Sequence, residues 1–172
     1  DRGHWSAAPH ALRAAAPPRA AFPLQAAGWP LTDPRDREYP VHGLPTTDGR
    51  SGTGFVDYVL WGADGLPLGI VEAKRSSRDE HAGQEQARQY ADALEAMTGR
   101  RPVIFLSNGL THTIWDDAAG YPPRPVRGFY SPAELALLVQ RRTTRLPLTD
   151  VPVSTAIAGR HYQQRAIRAV DA

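Results

Sequence analysis

Two neighbouring hydrophobic segments dominate the middle of the chain. The segments FVDYVLW (55–61) and LPLGIVEAK (66–74) are rich in β-branched and aromatic residues, which favour β-strands. Between them lies Asp64-Gly65, a strong signal for a two-residue hairpin turn. The pattern therefore predicts an antiparallel β-hairpin over residues 55–74.

A helix and two further strands are predicted after the hairpin. Apolar positions at helical spacing predict a helix over residues 83–98, with Gly99 as its C′ residue. The continuous apolar run PVIFLSNG (102–109) is typical of a buried strand, and THTIWDD (111–117) predicts another strand. The middle of the chain is thus predicted as two strands, one helix and two strands.

The flanking regions have weaker patterns. Residues 1–19 are rich in Ala, Pro and Arg and predict a short helix or a loose arm. A helical turn closing at Gly28 and a short strand around residues 38–42 should follow. GYPPRPVRG (120–128) is predicted as a loop, and Ser131-Pro132-Ala133-Glu134 as a capping box that opens a helix to about Arg142. We therefore divide the chain into an arm (1–19), a domain (20–142) and a linker with a last helix (143–172).

The composition excludes several kinds of chemistry. The chain has 172 residues, of which 41% are hydrophobic and 22% are charged, as expected of one globular domain. It contains no cysteine, so disulfides, thiolate zinc sites and cysteine nucleophiles are excluded. Its six histidines lack a metal-binding spacing such as His-Glu-x-x-His. No apolar run is long enough to span a bilayer, and we expect a cytoplasmic protein without membrane contact.

The single lysine is the most informative charged residue. The chain has 19 arginines but only one lysine, Lys74, two residues after Glu72. If Asp64 and Gly65 form the turn, Asp57 faces Glu72 across the hairpin, and Lys74 lies on the same face as Glu72. Opposed carboxylates repel each other, and a bridging Mg²⁺ would compensate for this repulsion.

A lysine beside such a site has chemical uses that an arginine lacks. Its ammonium can orient or help deprotonate a water molecule, or stabilise charge on a phosphate, whereas guanidinium stays protonated. The simpler interpretation is a solvated ion pair between Glu72 and Lys74 on an exposed strand, and spacing alone favours it.

The predicted helix places further polar groups near the hairpin. Gln86, Tyr90, Leu94 and Met97 share one helical face, on which Leu94 and Met97 are expected in the core. Gln86 and Tyr90 could hydrogen-bond a ligand or the catalytic residues, or could simply lie at the boundary of the core.

These residues together resemble a known family. The stretch DYVLWGADGLPLGIVEAKRSSRDEHAGQEQARQYADALEAMTGRRPVIFLSNG is similar to the nuclease domain of the motor (R) subunit of type I restriction endonucleases, within the PD-(D/E)xK nuclease superfamily. The likeness continues through TIWDD, PPRPVRGFYSPAEL and QRR. It implies a restriction-endonuclease-like α/β fold, with a mixed central β-sheet flanked by helices and residues 20–142 as the endonuclease domain.

The resemblance implies a role for each matched residue. Asp57 and Glu72 would hold Mg²⁺, and Lys74 would position or activate the attacking water or stabilise charge on the phosphate. Gln86 and Tyr90 match the family's Gln-x-x-x-Tyr motif, which assists catalysis or DNA contact. The implied reaction is metal-assisted hydrolysis of a DNA phosphodiester. The implied partners are DNA and the modification and specificity subunits, the latter supplying sequence recognition.

Arginines near the site in sequence have two interpretations. They could contact DNA phosphates or only solvate the surface; they are Arg75, Arg78, Arg88, Arg100 and Arg101.

The C-terminal tail and two substitutions complete the comparison. RHYQQRAI resembles the segment that opens the helicase motor of these subunits, where Gln163 would read the adenine of ATP. No Walker A lysine is present, so we expect no ATPase activity from this chain alone.

Two residues differ from the family pattern. Val56 replaces the superfamily's proline, and Ala14 lies near the position of a first-helix glutamate in relatives. The absent glutamate leaves open an inactive DNA-binding or docking module of the same fold, whereas the helicase-like tail disfavours a stand-alone repair nuclease.

Overall fold

The computed structural model describes residues 18–45, 51–73, 80–144, 152–154 and 156–170, with backbone only at 18–20, 80–82, 168 and 170. The chain divides into two compact units, residues 1–139 and 140–172. Four positions singled out in the sequence lie outside the described residues, namely Ala14, Lys74, Arg75 and Arg78.

The described helices and strands follow one another in the predicted order. They are α1 (Pro18–Ala26), β1 (Arg37–Pro45), β2 (Ser51–Trp61), β3 (Pro67–Ala73), α2 (Glu80–Thr98), β4 (Val103–Ser107), β5 (His112–Trp115), β6 (Arg124–Val126), α3 (Pro132–Thr144) and α4 (His161–Val170). Within the described ranges, no helix is long and apolar enough to cross a membrane.

The six strands form one mixed sheet in the order β1-β2-β3-β4-β5-β6. Only β3 and β4 are parallel, because α2 carries the chain back between them, and the other neighbours are antiparallel. The prediction of a mixed α/β fold is therefore confirmed.

Helices cover both faces of this sheet. On one face, Ala91 and Leu94 of α2 pack in a cluster with Val59, Ile70 and Ile104 of the strands. On the other face, a second cluster joins the α1 and α3 side chains Leu24 and Leu135 to the strand residues Leu60, Val71 and Phe105. Ile70 and Val71 are consecutive and fully buried in different clusters, as expected of a central strand covered on both sides.

The β2–β3 hairpin is confirmed, but its turn is longer than predicted. Gly65 N donates to Gly62 O at 3.0 Å, and Gly62 N donates to Leu66 O at 2.8 Å. The loop is therefore Ala63-Asp64-Gly65, with Gly65 at φ +77°, a common three-residue hairpin geometry.

A bulge in β3 compensates for the longer turn. Trp61 pairs with Pro67, whereas Leu60 pairs with Gly69, so one extra residue is accommodated in β3 between these pairs. Beyond the bulge, the pairs Tyr58–Val71 and Val59–Ile70 have the register that the two-residue turn predicted. The predicted alignment was correct, although the predicted turn was not.

Other predictions differ from the structure in detail. The β1 strand extends over Arg37–Pro45, beyond the predicted residues 38–42, and the segment predicted as a loop at 120–128 contains β6. Met97 is 43% exposed, so its assignment to the core was wrong. The capping box of α3 is confirmed, because Ser131 N donates to Glu134 Oε2 at 2.8 Å and Glu134 N donates to Ser131 Oγ.

Candidate functional site

The two predicted metal-binding carboxylates lie where the described β2–β3 pairs end. The last described pair is Tyr58–Val71, while β3 continues to pair with β4 as far as Ala73–Ser107. The predicted pairing of Asp57 with Glu72 is therefore not part of the described ladder, although one more pair in the same register would align them.

Asp57 joins the two strands at this level through its side chain. It is 7% exposed, and its Oδ2 accepts a hydrogen bond from the Ala73 backbone N at 2.8 Å. Because Ala73 directly follows Glu72, the Asp57 carboxylate lies beside the end of β3 that carries Glu72. A side chain of β2, rather than its main chain, is the described acceptor for the Ala73 N–H.

Glu72 is held from the opposite direction by α2. The residue is 3% exposed, and its Oε1 accepts a hydrogen bond from Gln86 Nε2 at 3.2 Å. The same amide nitrogen donates to Tyr90 Oη at 2.8 Å. Gln86 and Tyr90 are one helical turn apart, so both reach the sheet from the same face of α2. The structure thus brings Glu72, Gln86 and Tyr90 into one hydrogen-bonded chain.

Burial affects the ionisation of a neighbouring phenol. The pKa of Tyr58 is raised above its ordinary value, chiefly because the ring is buried. Arg37 opposes this change and the negative charge of Asp57 adds to it. Tyr58 therefore stays protonated at neutral pH, with its ring in the cluster that also contains Val71.

The donor set fits a magnesium ion. Among the described residues there is no group of three or more His, Cys, Asp or Glu side chains that could hold a metal. Mg²⁺, however, is usually bound through one or two carboxylates and keeps several water molecules. Two buried carboxylates on neighbouring strands, Asp57 within β2 and Glu72 near the end of β3, match that requirement.

The remaining predicted site residues lie elsewhere or outside the described structure. Lys74 follows Ala73 in sequence and lies outside the described residues. Gln163 lies in the first turn of α4, in the second unit, where its Oε1 accepts a hydrogen bond from Arg160 N at 3.3 Å. In this position Gln163 caps its own helix.

Three of the candidate DNA-binding arginines form ion pairs with carboxylates. Arg88 pairs with Glu85, and Arg100 pairs with Asp64 across the fold. Arg101 contacts Asp92, Glu95 and Asp117. These contacts favour a structural role for the three arginines over phosphate binding.

Sequence reasoning missed Gly54, which lies on β2 three residues before Asp57. A Cβ atom at this position would lie 2.6 Å from Cε1 of Tyr90. The predicted strand began at residue 55, so the pattern did not mark Gly54 as a strand glycine, the usual signal for such a close approach.

The fold and the buried acidic residues indicate the class of domain. The mixed sheet with helices on both faces is an α/β fold, and the buried carboxylates of Asp57 on β2 and Glu72 on β3 are consistent with a restriction-endonuclease-like domain. The family model described as type I restriction enzyme R protein N terminus matches residues 45–122, which include β2, β3, α2, β4 and β5. Residues 45–122 are thus similar to the N terminus of the type I restriction enzyme R proteins, in agreement with the resemblance seen in the sequence.

One solved structure supports the fold. It is a fragment described as an HsdR subunit of a type I restriction enzyme from Vibrio vulnificus, with a TM-score of 0.54 and 22% sequence identity. The match covers 88% of this chain but only 30% of the solved chain. No curated protein matches the chain.

Proposed function

We propose that residues 20–142 are the Mg²⁺-dependent DNA endonuclease domain of a type I restriction enzyme R subunit. The observation that carries this proposal is that two buried carboxylates lie beyond the last described β2–β3 pair, where Asp57 Oδ2 accepts the N–H of Ala73, the residue after Glu72. The match of residues 45–122 to the R-protein family supports it.

Asp57 and Glu72 would hold the metal ion. Buried carboxylates are costly unless a positive charge or hydrogen bonds compensate for lost hydration, and a divalent cation would provide that charge. When bound, Mg²⁺ supplies Lewis-acid polarisation of the phosphate and a more acidic water as nucleophile.

The side chains from α2 would fix the geometry of the acidic pair. Gln86 donates to Glu72 Oε1 and to Tyr90 Oη, so it sets the carboxylate and the phenol relative to each other. Because Tyr90 Oη accepts this bond, its own proton can be donated to a phosphate oxygen. Lys74 would orient or deprotonate the attacking water, or stabilise charge on the phosphate.

The partners belong to the same proposal. DNA would be the substrate, and the modification and specificity subunits of a type I complex would select the site. ATP would be bound only by the full-length motor, with Gln163 at the adenine. The chain spans 30% of the solved HsdR fragment chain, so these assignments rest on the resemblance and the family match.

Nicking of supercoiled plasmid in the presence of Mg²⁺ or Mn²⁺ tests the proposal. We expect Asp57→Asn, Glu72→Gln and Lys74→Arg each to reduce the rate by about a hundredfold or more. Asp64→Asn is the matched control, because Asp64 lies in the hairpin turn and pairs with Arg100; its rate should equal that of the wild type. Unchanged nicking in all three site variants would refute the assignment.

Metal binding gives a second readout. In calorimetric titrations with Mn²⁺, the wild type should bind the ion, and Asp57→Asn should bind it at least about tenfold more weakly. A wild type that is inert alone should be assayed again with the complete R subunit and its partner subunits. Metal binding without cleavage in that complex would support the inactive docking module instead.

A further inference from the structure

Gly54 makes room for the ring of Tyr90. A Cβ atom built on Gly54 would lie 2.6 Å from Tyr90 Cε1 and 3.1 Å from Tyr90 Cζ, and real Cβ atoms essentially never approach closer than 3.0 Å. Gly54 is not among the glycines with positive φ, so its backbone conformation does not demand glycine. The close approach of the Tyr90 ring therefore accounts for the missing side chain.

This contact is the first link of a chain that ends at Glu72. Tyr90 is 7% exposed and its Oη accepts a hydrogen bond from Gln86 at 2.8 Å. Gln86 in turn donates to Glu72 Oε1 at 3.2 Å. Because each group is buried or half-buried, a displacement of the ring must be passed to Gln86 or break its hydrogen bond.

We propose that Gly54 is a positioning residue, which seats the Tyr90 ring against β2 and thereby sets Gln86 against Glu72. Its significance for catalysis rests on the proposed nuclease function, whereas the chain of contacts does not. The other neighbour of the added Cβ would be Leu44 Cδ1, at 2.5 Å. That methyl group is the end of a flexible side chain and can rotate away, whereas the buried phenol ring cannot move without disturbing its hydrogen bond.

Gly54→Ala tests the proposal in the plasmid-nicking assay with Mg²⁺. We expect kcat to fall between about tenfold and a hundredfold while KM for DNA changes little, because the substitution misplaces a site group without removing a DNA contact. Gly128→Ala is the matched control, because nothing lies within 4 Å of an added Cβ there, and its kcat should be unchanged. A Gly54→Ala enzyme with wild-type kcat would overturn the proposal.

Combining Gly54→Ala with a second substitution shows whether Tyr90 or Leu44 causes the loss of kcat. In Tyr90→Ala, the added methyl has room, so Gly54→Ala should cause little further loss of kcat. In Leu44→Ala, the full loss should remain. If Gly54→Ala alone fails to fold, Tyr90→Ala should restore folding and Leu44→Ala should not. The reverse pattern, with rescue by Leu44→Ala only, would refute the role assigned to Tyr90.

The side-chain amide signals of Gln86 provide a readout that does not depend on cleavage. In two-dimensional ¹H–¹⁵N NMR spectra, Gln86→Glu identifies these signals by their disappearance. Gly54→Ala should shift them in the same direction as Tyr90→Phe does, and Gly128→Ala should not. Unshifted signals would overturn the positioning role. Shifted signals in a chain that never cleaves DNA would refute the nuclease function and retain the positioning role.

Discussion

Asp57 combines a role in the sheet with a role in the proposed site. Its Oδ2 accepts the Ala73 N–H at 2.8 Å, a bond that a main-chain carbonyl would make in a continuous ladder. Removing the side chain would therefore leave a backbone donor without its acceptor as well as removing a metal ligand. Asparagine keeps an acceptor oxygen at this position, so Asp57→Asn separates the two roles better than Asp57→Ala does.

His112, the first residue of β5, is another buried polar residue and pairs with Ser107 at the end of β4. Its Nδ1 lies 2.9 Å from Ser107 Oγ, and its ring packs on Phe129 with the ring centroids 4.5 Å apart. Burial lowers the pKa of His112 below its ordinary value of 6.5. The folded protein therefore binds this proton less readily than the unfolded chain does.

Stability should consequently depend on the titration of His112. The neutral imidazole makes its full contribution to the free energy of unfolding above pH 6.5. This contribution decreases as the pH falls below 6.5, because the unfolded chain then binds the proton more readily than the folded protein does. His112→Gln does not titrate, so the free energy of unfolding of the wild type relative to this variant should decrease between about pH 8 and about pH 5. Urea unfolding of both proteins at several pH values measures the difference. A difference that is constant over this range would contradict the prediction.

Sequence patterns named Glu72, Gln86 and Tyr90 as candidates but could not show the contacts among them. The helical spacing of Gln86 and Tyr90 showed that they share a face of α2. It could not show that the Gln86 amide reaches both Tyr90 and Glu72, because spacing along a helix does not set its distance from a strand. The contact between Gly54 and Tyr90 was missed for the same reason.

At the scale of elements, Arg101 ties the end of α2 to the segment after β5. Its Nε and Nη2 both donate to Asp117, and its Nη1 contacts Asp92 and Glu95 of α2. Burial by itself would lower the pKa of Arg101, but the hydrogen bonds with Asp117 and Asp92 raise it above its ordinary value. The planar guanidinium can make all these contacts at once, whereas an ammonium cannot make the bidentate one.

Arg101→Lys should therefore destabilise the fold although it retains the charge. We expect a loss of about 1.5–3 kcal/mol in the free energy of unfolding, the usual cost of losing a hydrogen bond to a charged group. The neighbouring substitution Arg100→Lys is the control and should cost less, because Asp64 is exposed to solvent. If urea unfolding shows the same loss of stability for Arg101→Lys and Arg100→Lys, the bidentate contacts of Arg101 do not add to the stability of the fold.

Short elements were the least predictable from sequence. Three prolines and two glycines within residues 120–128 favour a loop, yet Arg124–Val126 pairs with β5 as an edge strand. An edge strand needs fewer main-chain donors than a central one, so it tolerates Pro125. The hairpin turn was misjudged similarly, because Asp64-Gly65 is compatible with loops of two or three residues. By contrast, α2 and β3 have long, consistent patterns and were predicted almost completely.

At the scale of the whole molecule, the sheet separates two hydrophobic clusters. Ile104 and Leu94 belong to the cluster beneath α2, whereas Leu24 belongs to the cluster on the opposite face. All three side chains are fully buried. The sequence predicted the strands between them but not which helix covers which face, since both faces of a central strand are apolar.

The separation predicts additive stability effects. Ile104→Val should cost about 0.5–1.5 kcal/mol, and Leu24→Ala about 2–5 kcal/mol. Because the sheet lies between these residues, the double variant should lose the sum within about 0.5 kcal/mol. Ile104 and Leu94 belong to the same cluster. The stability lost by the double variant Ile104→Val/Leu94→Ala should therefore differ from the sum of the two single losses by more than about 0.5 kcal/mol. Urea unfolding of both double variants and their parents measures the coupling.

The bulge in β3 has a consequence for changes in length within the hairpin. The third turn residue and the bulge residue offset each other, and only together do they align the part of β2 that carries Asp57 with the part of β3 that carries Glu72. Deleting one residue from Ala63-Asp64-Gly65 without deleting another from the bulge would slide one strand past the other and turn Asp57 toward the wrong side of the sheet. In homologous hairpins, a residue gained or lost in the turn should therefore be accompanied by a residue gained or lost at the bulge. A loop grafted into this hairpin should keep the same relation between turn length and bulge.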